Sequence, residues 1–505
     1  MKRDFILVFI FTFISKGLGF VRDISLAYFY GANSITDAYL ISLTIPGTIY
    51  EYVGIAITTS LIPIYFEVKK NKDLKYTQEF LNNLAAIVIL FSLVLTIIIW
   101  ITAFPLTKII ATGFDKEAIE TTVLFTRIGS LSLAFSGSIF IINTLLQINK
   151  RYYLAIFAGI PASLFSIFII FISYKTNSLF LGYSSLITVF VQFVTVYFLF
   201  KKTVFNIEFK LSKKPKVSYE IKGMLSIALP AFIGVAINQL NTIIDRNLAS
   251  RIIEGGVSIL NYSNKLLLFS HGLISVTLVS ILYPIISKKI SDNEGKKIIS
   301  KFCTENIKNL ILILFPINII MLFYAEEIVN VLLGRGGMTD KSLYITISVF
   351  KLYSVSLVFL GVREFLLRIF FSYKKVKEVT ILSIFSLCLN IFLSLNLYRN
   401  YGLSGLAFST SVSTAISCLV MYIYINKKVL KIIDKKMLLE IFIIIVTSYL
   451  SIWITKKITF DFIHIFISAK FIINILMGTG LYTVIILLLI FFKIIKINTN
   501  SGGRK

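Results

Sequence analysis

The sequence of 505 residues is poor in the residues that hold metal ions or close disulfides, with three cysteines and two histidines. Cys303, Cys388 and Cys418 follow no regular spacing and lie in or beside apolar segments, so they predict neither a disulfide framework nor a metal motif. Two histidines alone cannot complete a four-coordinate zinc site. We therefore expect no metal and no cofactor.

Long polar stretches are also scarce, since apolar residues make up 57% of the chain and the mean hydropathy is +0.86. Soluble domains contain roughly 45–50% apolar residues. The excess falls in segments of about 20 residues, which as helix cross a bilayer core of roughly 30 Å. The sequence predicts an all-α polytopic membrane protein whose basic, apolar start is an uncleaved first span. The spans number about fourteen by apolar length, near 5–31, 36–67, 80–104, 118–147, 153–173, 179–200, 221–250, 256–287, 304–325, 341–371, 378–398, 403–426, 437–455 and 470–493.

Acidic residues are few, 25 against 51 lysines and arginines, and the formal net charge is +26. The basic residues concentrate in alternate loops, which the positive-inside rule places in the cytoplasm. An even span count then leaves both termini in the cytoplasm of a bacterial cell. Membrane orientation accounts for the charge, so we expect no nucleic-acid partner. The basic loops are 69–75, 149–151, 201–216, 288–297, 374–377, 426–436 and the C-terminal tail.

The two halves of the chain resemble each other at an offset of about 222 residues. "LIPIYFEVKK" (61–70) corresponds to "LYPIISKKI" (282–290), and "ATGFD" (111–115) to "GRGGMTD" (334–340). We predict a six-helix lobe at 1–200, a cytoplasmic linker at 201–220, a second six-helix lobe at 221–426, and two further helices and a tail at 427–505. Parallel repeats of this kind place a binding site between the lobes.

Ionisable residues inside predicted spans mark candidate sites, because charge at that depth usually faces a bundle interior or a watery cavity. We predict a basic site for an anionic, lipid-linked pyrophosphate at Lys16, Arg22 and Lys265, with Asp23 and Asp37 beside it. Asp245 and Asn390 are candidates for cation coupling. The alternatives stay open: Arg22–Asp23 and Asp245–Arg246 as structural pairs, Asp37 as a helix cap, and Lys265 as a snorkelling side chain.

Those residues also carry a family resemblance. "LGFVRD" (18–23), "YGANSITDAY" (30–39), "LNTIIDRNLAS" (240–250), "EGGVSILNYSNKL" (254–266), "GRGGM" (334–338) and "GLSGLAFSTSVS" (402–413) are similar to the MurJ (MviN) family of lipid II flippases. That family belongs to the multidrug/oligosaccharidyl-lipid/polysaccharide exporter superfamily. The resemblance implies fourteen helices, alternating access and transfer of a peptidoglycan precursor from the inner to the outer leaflet of the cytoplasmic membrane. It also implies that Arg22, Lys16 and Lys265 are cavity cations.

One segment departs from the family pattern. "GTIYEYVGIA" (47–56) has Tyr50 and Glu51 where the resemblance implies arginines, and Ile55 where it implies glutamate. The alternatives are therefore a flippase for another lipid-linked oligosaccharide and a cation-coupled multidrug antiporter. An enzyme would need an acidic metal motif or a large outer loop, so we expect none. The expected partners are the lipid-linked saccharide pyrophosphate and membrane lipids, with the protein as a monomer.

Overall fold

The computed structural model describes residues 2–203, 215–432, 435–462 and 467–491, and within these ranges the chain is helical with no strand. This confirms the all-α prediction. The helices are α1 (Lys2–Tyr30), α2 (Ser34–Ser42), α3 (Thr44–Asn71), α4 (Leu74–Ile110), α5 (Lys116–Ser130), α6 (Leu133–Ile148), α7 (Tyr152–Phe157), α8 (Gly159–Lys175), α9 (Tyr183–Thr203), α10 (Tyr219–Ser250), α11 (Gly256–Ser291), α12 (Lys296–Phe323), α13 (Ala325–Leu333), α14 (Asp340–Ser354), α15 (Leu357–Ser372), α16 (Val376–Lys428), α17 (Lys435–Phe462) and α18 (Ile467–Phe491), with a 3₁₀ helix at Ser178–Gly182.

The described part of the chain contains nine helices long and apolar enough to cross a membrane, or up to eleven when each bent pair is one span. The two bent pairs are α5 with α6 and α14 with α15, each bent by 41°. Within α16, Gly402 is non-helical, with φ 56° and ψ −137°, so two helices meet there. The prediction of a multi-pass membrane protein is confirmed.

Serine hydroxyls lie at the helix breaks and donate to carbonyls of the turn that precedes each break. Ser42 Oγ donates to the Tyr39 carbonyl at 2.7 Å at the end of α2. Ser130 Oγ donates to the Arg127 carbonyl at 2.7 Å between α5 and α6, and Ser356 Oγ to the Tyr353 carbonyl at 2.6 Å between α14 and α15. In hydrocarbon an unsatisfied carbonyl costs several kcal/mol, so these bonds make the breaks tolerable.

The chain forms two compact units, Met1–Ile259 with Gly336–Thr339, and Leu260–Arg335 with Asp340–Lys505. The first has a core of aliphatic side chains on α3, α4, α6 and α9, including Leu61, Leu81, Leu145 and Val196. The boundary between the units falls inside α11, whereas the predicted lobe boundary is the linker 201–220. Residues 204–214 of that linker lie outside the described residues.

In the second unit, α17 and α18 pack against α12. Lys308 Nζ on α12 lies 2.7 Å from Glu440 Oε2 on α17, and both side chains are buried. Tyr482 on α18 donates its hydroxyl to the Leu312 carbonyl of α12 at 2.8 Å. Apolar side chains of these three helices share one core, including Leu310, Leu314, Ile444 and Ile486. The two C-terminal helices are thus an integral part of this unit.

Glycine lets two backbone segments of the first unit approach closely. Gly336 has φ +82°, and a Cβ atom there would lie 2.1 Å from the Tyr28 carbonyl oxygen. The next residue, Gly337, donates its N–H to that same oxygen at 2.7 Å. Glycine is required because it alone adopts left-handed φ without cost and leaves room for the carbonyl.

Replacement of Gly336 tests this contact. Gly336→Ala should lower the thermal unfolding temperature of the purified protein, because alanine in the left-handed region costs about 1–2 kcal/mol before the clash with Tyr28 is counted. Gly480→Ala is the matched control, since nothing lies within 4 Å of a Cβ atom there. Alanine at this helical position should leave stability unchanged or raise it by up to about 1 kcal/mol. Equal unfolding temperatures for the two variants would contradict the close approach.

Candidate functional site

An arginine and an aspartate form an ion pair inside α1. Arg22 Nη2 and Nε lie 2.9 and 3.2 Å from Asp23 Oδ1. The Arg22 side chain is 35% exposed and that of Asp23 13%. A guanidinium has five N–H donors, and this pair uses two of them. The geometry therefore holds Arg22 in place and leaves N–H groups with access to a ligand.

The other two predicted cations lie on different units and are described separately. Lys16 lies two turns before Asp23 on α1, and its side chain is exposed. Lys265 lies on α11 in the second unit and is half-buried. Lys16 is thus accessible on the same helix as the Arg22–Asp23 pair.

Asp37 is buried, with 1% of its surface exposed, and its carboxylate caps a helix. Asp37 Oδ1 accepts the N–H of Ser258 at 2.7 Å and also the Ser258 hydroxyl, while Oδ2 accepts the N–H of Val257 at 3.4 Å. These donors belong to the first turn of α11, where the helix dipole favours negative charge. The alternative that Asp37 caps its own span is wrong, because Asn33 caps α2 and the Asp37 carboxylate instead caps the start of α11.

Arg246 binds the break between α2 and α3. Its Nη1 donates to the Leu40 carbonyl and to the Thr44 hydroxyl, on either side of Leu43, where α2 ends. Asp245, the predicted partner of Arg246, instead accepts from Asn241 Nδ2 at 3.4 Å. The structural pair Asp245–Arg246 was therefore a wrong alternative: Arg246 donates to α2 and α3, and Asp245 accepts from its own helix.

The segment that departs from the family pattern has partners of its own. Tyr50 packs on Phe140 with ring centroids 4.6 Å apart. Glu51 accepts a hydrogen bond from the Gln239 amide of α10, and Thr48 donates to Gln239 Oε1 at 3.3 Å. Glu51 is exposed and Ile55 is half-buried. At this point of α3 the chain therefore has a carboxylate, Glu51, hydrogen-bonded to the Gln239 amide, where the family resemblance implies a cation.

Asn390 lies in a cluster of hydroxyl groups in the second unit. Its Nδ2 donates to Thr410 Oγ1 and to Ser413 Oγ, both at 3.2 Å, across the bend of α16 at Gly402. Ser394 donates to Asn390 Oδ1 at 3.4 Å. Within the part of the chain that the structure describes, no three His, Cys, Asp or Glu side chains are grouped to hold a metal ion.

The buried pair Lys308–Glu440 was not among the predicted site residues. Lys308 lies in the predicted span 304–325 and Glu440 in the predicted span 437–455. Their positions inside spans were the signal that could have predicted the pair. Among intramembrane ionisable residues of neighbouring spans, opposite charges commonly pair. Opposite charges on two predicted spans therefore predict this contact.

The apolar helices, their breaks and the charges within them define a polytopic membrane protein. Solved structures support this class. The chain is similar to a structure described as "Lipid II flippase MurJ, inward closed conformation", with TM-score 0.82, 23% identity, and coverage of 97% of this chain and 99% of that one. It is also similar to an inward-facing multidrug resistance MATE transporter, with TM-score 0.69, 15% identity, and coverage of 82% and 94%.

The sequence model of the family "Lipid II flippase MurJ" matches residues 26–475. Probable lipid II flippases MurJ are similar over most of their length. The relative from Buchnera aphidicola subsp. Baizongia pistaciae is 28% identical over 83% of this chain and 82% of its own, and that from Borreliella burgdorferi is 26% identical over 90% and 89%. The chain belongs to the MurJ family, as its motifs indicated.

Arg246 offers a test of the site's framework. Arg246→Met should destabilise the protein by roughly 1.5–3 kcal/mol, because the Leu40 carbonyl loses a charged donor inside the membrane. The measurement is thermal unfolding in detergent. Arg251→Met is the control, since Arg251 is exposed and donates to the Thr112 hydroxyl at 2.6 Å near the end of the same helix. An equal loss for both variants would show that the α2–α3 break does not depend on Arg246.

Proposed function

We propose that the protein moves lipid II from the inner to the outer leaflet of the cytoplasmic membrane by alternating access. The observation that carries this proposal is the family match over residues 26–475, which includes most of the predicted spans. The ion pair on α1 agrees with it, because an intramembrane charge needs a ligand or a partner to offset its desolvation. The protein does no covalent chemistry in this scheme.

The proposed contacts with the substrate are electrostatic. Arg22 binds the pyrophosphate through the N–H groups that Asp23 does not use, and Lys16 and Lys265 add point charges. A planar guanidinium fits phosphate oxygens in a bidentate manner, which an ammonium group cannot do. Asp23 orients Arg22. Asp37 contributes indirectly, since its carboxylate holds the start of α11, the helix that carries Lys265.

The proposed topology has fourteen spans with both termini in the cytoplasm. The eleven spans of the described chain become fourteen when α1 and α10 are included and α16 is divided at Gly402. The lobes would be 1–200 and 221–426, followed by α17 and α18 with the tail. The basic loops support the orientation, as the positive-inside rule requires.

Coupling remains part of the proposal. A membrane potential favours the outward movement of a transported anion by about 2.3 kcal/mol per charge per 100 mV. Asp245 and Asn390 are the candidate residues for a coupled monovalent cation. The hydroxyl-rich surroundings of Asn390 offer oxygen ligands, which hard cations prefer.

A second candidate function is transport of another lipid-linked oligosaccharide. The observation in its favour is Glu51, which is held by Gln239 where the family resemblance implies a cation. One cation fewer and one acid more favour a less anionic headgroup, while the pyrophosphate contacts at Arg22 stay the same. The two candidates therefore differ in the glycan.

Depletion in the native host tests the function. When the protein is depleted, lipid II should accumulate in the inner leaflet, because its synthesis continues and its exit stops. Mass spectrometry of extracted lipid-linked intermediates measures this accumulation. Accumulation of a different lipid-linked glycan would favour the second candidate, and unchanged levels of every such lipid would contradict a flippase.

Variants of Arg22 test the site. Arg22→Ala should lower transport roughly ten-fold or more, since it removes charged hydrogen bonds worth about 1.5–3 kcal/mol each. Arg22→Lys should retain part of the activity, because the charge stays and the bidentate contact is lost. Asp23→Asn should be milder than Arg22→Ala if Asp23 only orients its neighbour. Transport is measured as the appearance of lipid II in the outer leaflet.

Arg127→Ala is the matched control, because the side chain of half-buried Arg127 on α5 contacts Trp100, with its guanidinium 4.7 Å from the indole ring and its Nε 3.2 Å from the Trp100 carbonyl oxygen. It should transport at the wild-type rate. A structural ion pair predicts instead that Arg22→Ala and Asp23→Asn both lower the unfolding temperature and the expression level. Normal transport by Arg22→Ala would exclude the binding role.

A further inference from the structure

Five lysines surround a cavity in the second unit. The cavity has a volume of about 650 Å³ and lies between the start of α12, the end of α16 and the segment 429–432 that follows α16. Pockets of roughly 300–1,000 Å³ are of the size that binds small molecules and headgroups. The lysines that line it are Lys296, Lys297, Lys427, Lys428 and Lys431.

Hydrogen bonds fix one wall of this cavity. The hydroxyls of Ser300 and Thr304 on α12 donate to the carbonyls of Lys431 and Ile432. The Ile432 N–H donates to Asn426 Oδ1 at 2.9 Å. These bonds tie the segment 429–432 to both helices and occupy the hydroxyl donors, so the groups that remain for a ligand are ammonium groups.

The lysines of the cavity keep their charge available. All five are exposed, and among the described residues none forms an ion pair with a carboxylate. The described residues that line the cavity include no acid. Lysines nearby do pair: Lys289 lies 2.9 Å from Glu294, and Lys301 lies 4.0 Å from Glu305. Among the described residues, the positive charge of the cavity is therefore not offset by a carboxylate.

The start of α12 adds to the positive potential. Its N-cap is Gly295, which has no side chain to cap the first turn. The N–H groups of Ile298 and Ile299 bond the Gly295 carbonyl, so the first turn presents the N–H groups of Lys296 and Lys297. A helix N-terminus with exposed N–H groups attracts anions, phosphate above all.

An apolar stripe leads away from the cavity along α16. Leu419, Ile423 and Lys427 follow one another at intervals of four residues, which places them on one face of the helix. Leu419 and Ile423 are 53% and 48% exposed. Because α12 and α16 are both candidate membrane spans, their charged ends lie at a bilayer surface. A headgroup in the cavity would have acyl chains against this stripe.

We propose that the cavity binds the phosphate of an anionic membrane lipid at the cytoplasmic surface, with phosphatidylglycerol as the probe. Basic pockets between helices at that surface are suited to anionic headgroups. The apolar stripe and the membrane position favour a lipid over free phosphate. This site does not include Arg22, so the proposal holds whichever glycan is transported. Its cytoplasmic position rests on the predicted orientation of the loops 288–297 and 426–436.

Native mass spectrometry of the purified full-length protein tests the proposal. The protein is offered equal amounts of phosphatidylglycerol and phosphatidylcholine with the same acyl chains, and the retained lipid adducts are counted. The wild type should retain phosphatidylglycerol preferentially. The triple variant Lys427→Gln, Lys428→Gln, Lys431→Gln should lose this retention roughly ten-fold or more, since each lysine adds to the attraction. The corresponding three arginine substitutions should preserve it.

A matched triple variant, Lys69→Gln, Lys70→Gln, Lys72→Gln, removes the same charge from another exposed loop predicted to be cytoplasmic. It should retain phosphatidylglycerol as the wild type does. Equal loss in both glutamine variants, or loss in neither, would overturn the site. Displacement of the lipid by inorganic phosphate at equal concentration would assign the cavity to the free ion and overturn the lipid assignment. The double variant Lys296→Gln, Lys297→Gln on the opposite wall provides the same comparison if the first variant does not fold.

Discussion

Polar backbone groups inside a bilayer need partners within the protein, and this constraint organises the helix breaks of the chain. Water is absent from the hydrocarbon core, so a break in a span exposes carbonyls and N–H groups that must be satisfied internally. Ser42, Ser130 and Ser356 satisfy carbonyls close to three breaks. Arg246 donates to the Leu40 carbonyl at the break before α3. These side chains supply hydrogen bonds at the α2–α3 junction and at the bends of α5–α6 and α14–α15.

The same constraint separates structural charges from charges that have access to a ligand. Lys308 and Glu440 are 8% and 7% exposed and lie 2.7 Å apart, so each needs the other. Removing one partner of such a pair costs about 3–5 kcal/mol, because an uncompensated charge stays buried. Arg22 is 35% exposed and uses part of its donor set on Asp23. Burial therefore assigns the first pair to the attachment of α17 to α12, and leaves Arg22 as the better candidate for binding.

Much of the fold follows from apolar length, because a span needs about 20 apolar residues whatever its partners. The division of α16 at Gly402 falls in the predicted gap between the spans 378–398 and 403–426. A glycine and a polar segment indicate that gap in the sequence. The hydrogen-bond partners of the charged residues could not be predicted from the sequence. Asp37 caps α11 and Arg246 binds the α2–α3 break, and both contacts join residues more than 200 positions apart. Local pattern carries no information about such contacts, whereas the candidate status of both residues was visible from their depth in a span.

Two distant contacts join α2 to the segment at the start of α11. Ser34 donates its N–H to Glu254 Oε1 at 3.0 Å across 220 residues, and Ser258 donates its N–H to Asp37 Oδ1 at 2.7 Å across 221. Both separations are close to the repeat offset of about 222 residues. The contacts there are hydrogen bonds to main-chain N–H groups, each worth about 0.5–3 kcal/mol. Acting together, contacts of this size hold the start of α11 against α2, although each of them alone is small beside the stability of a folded chain.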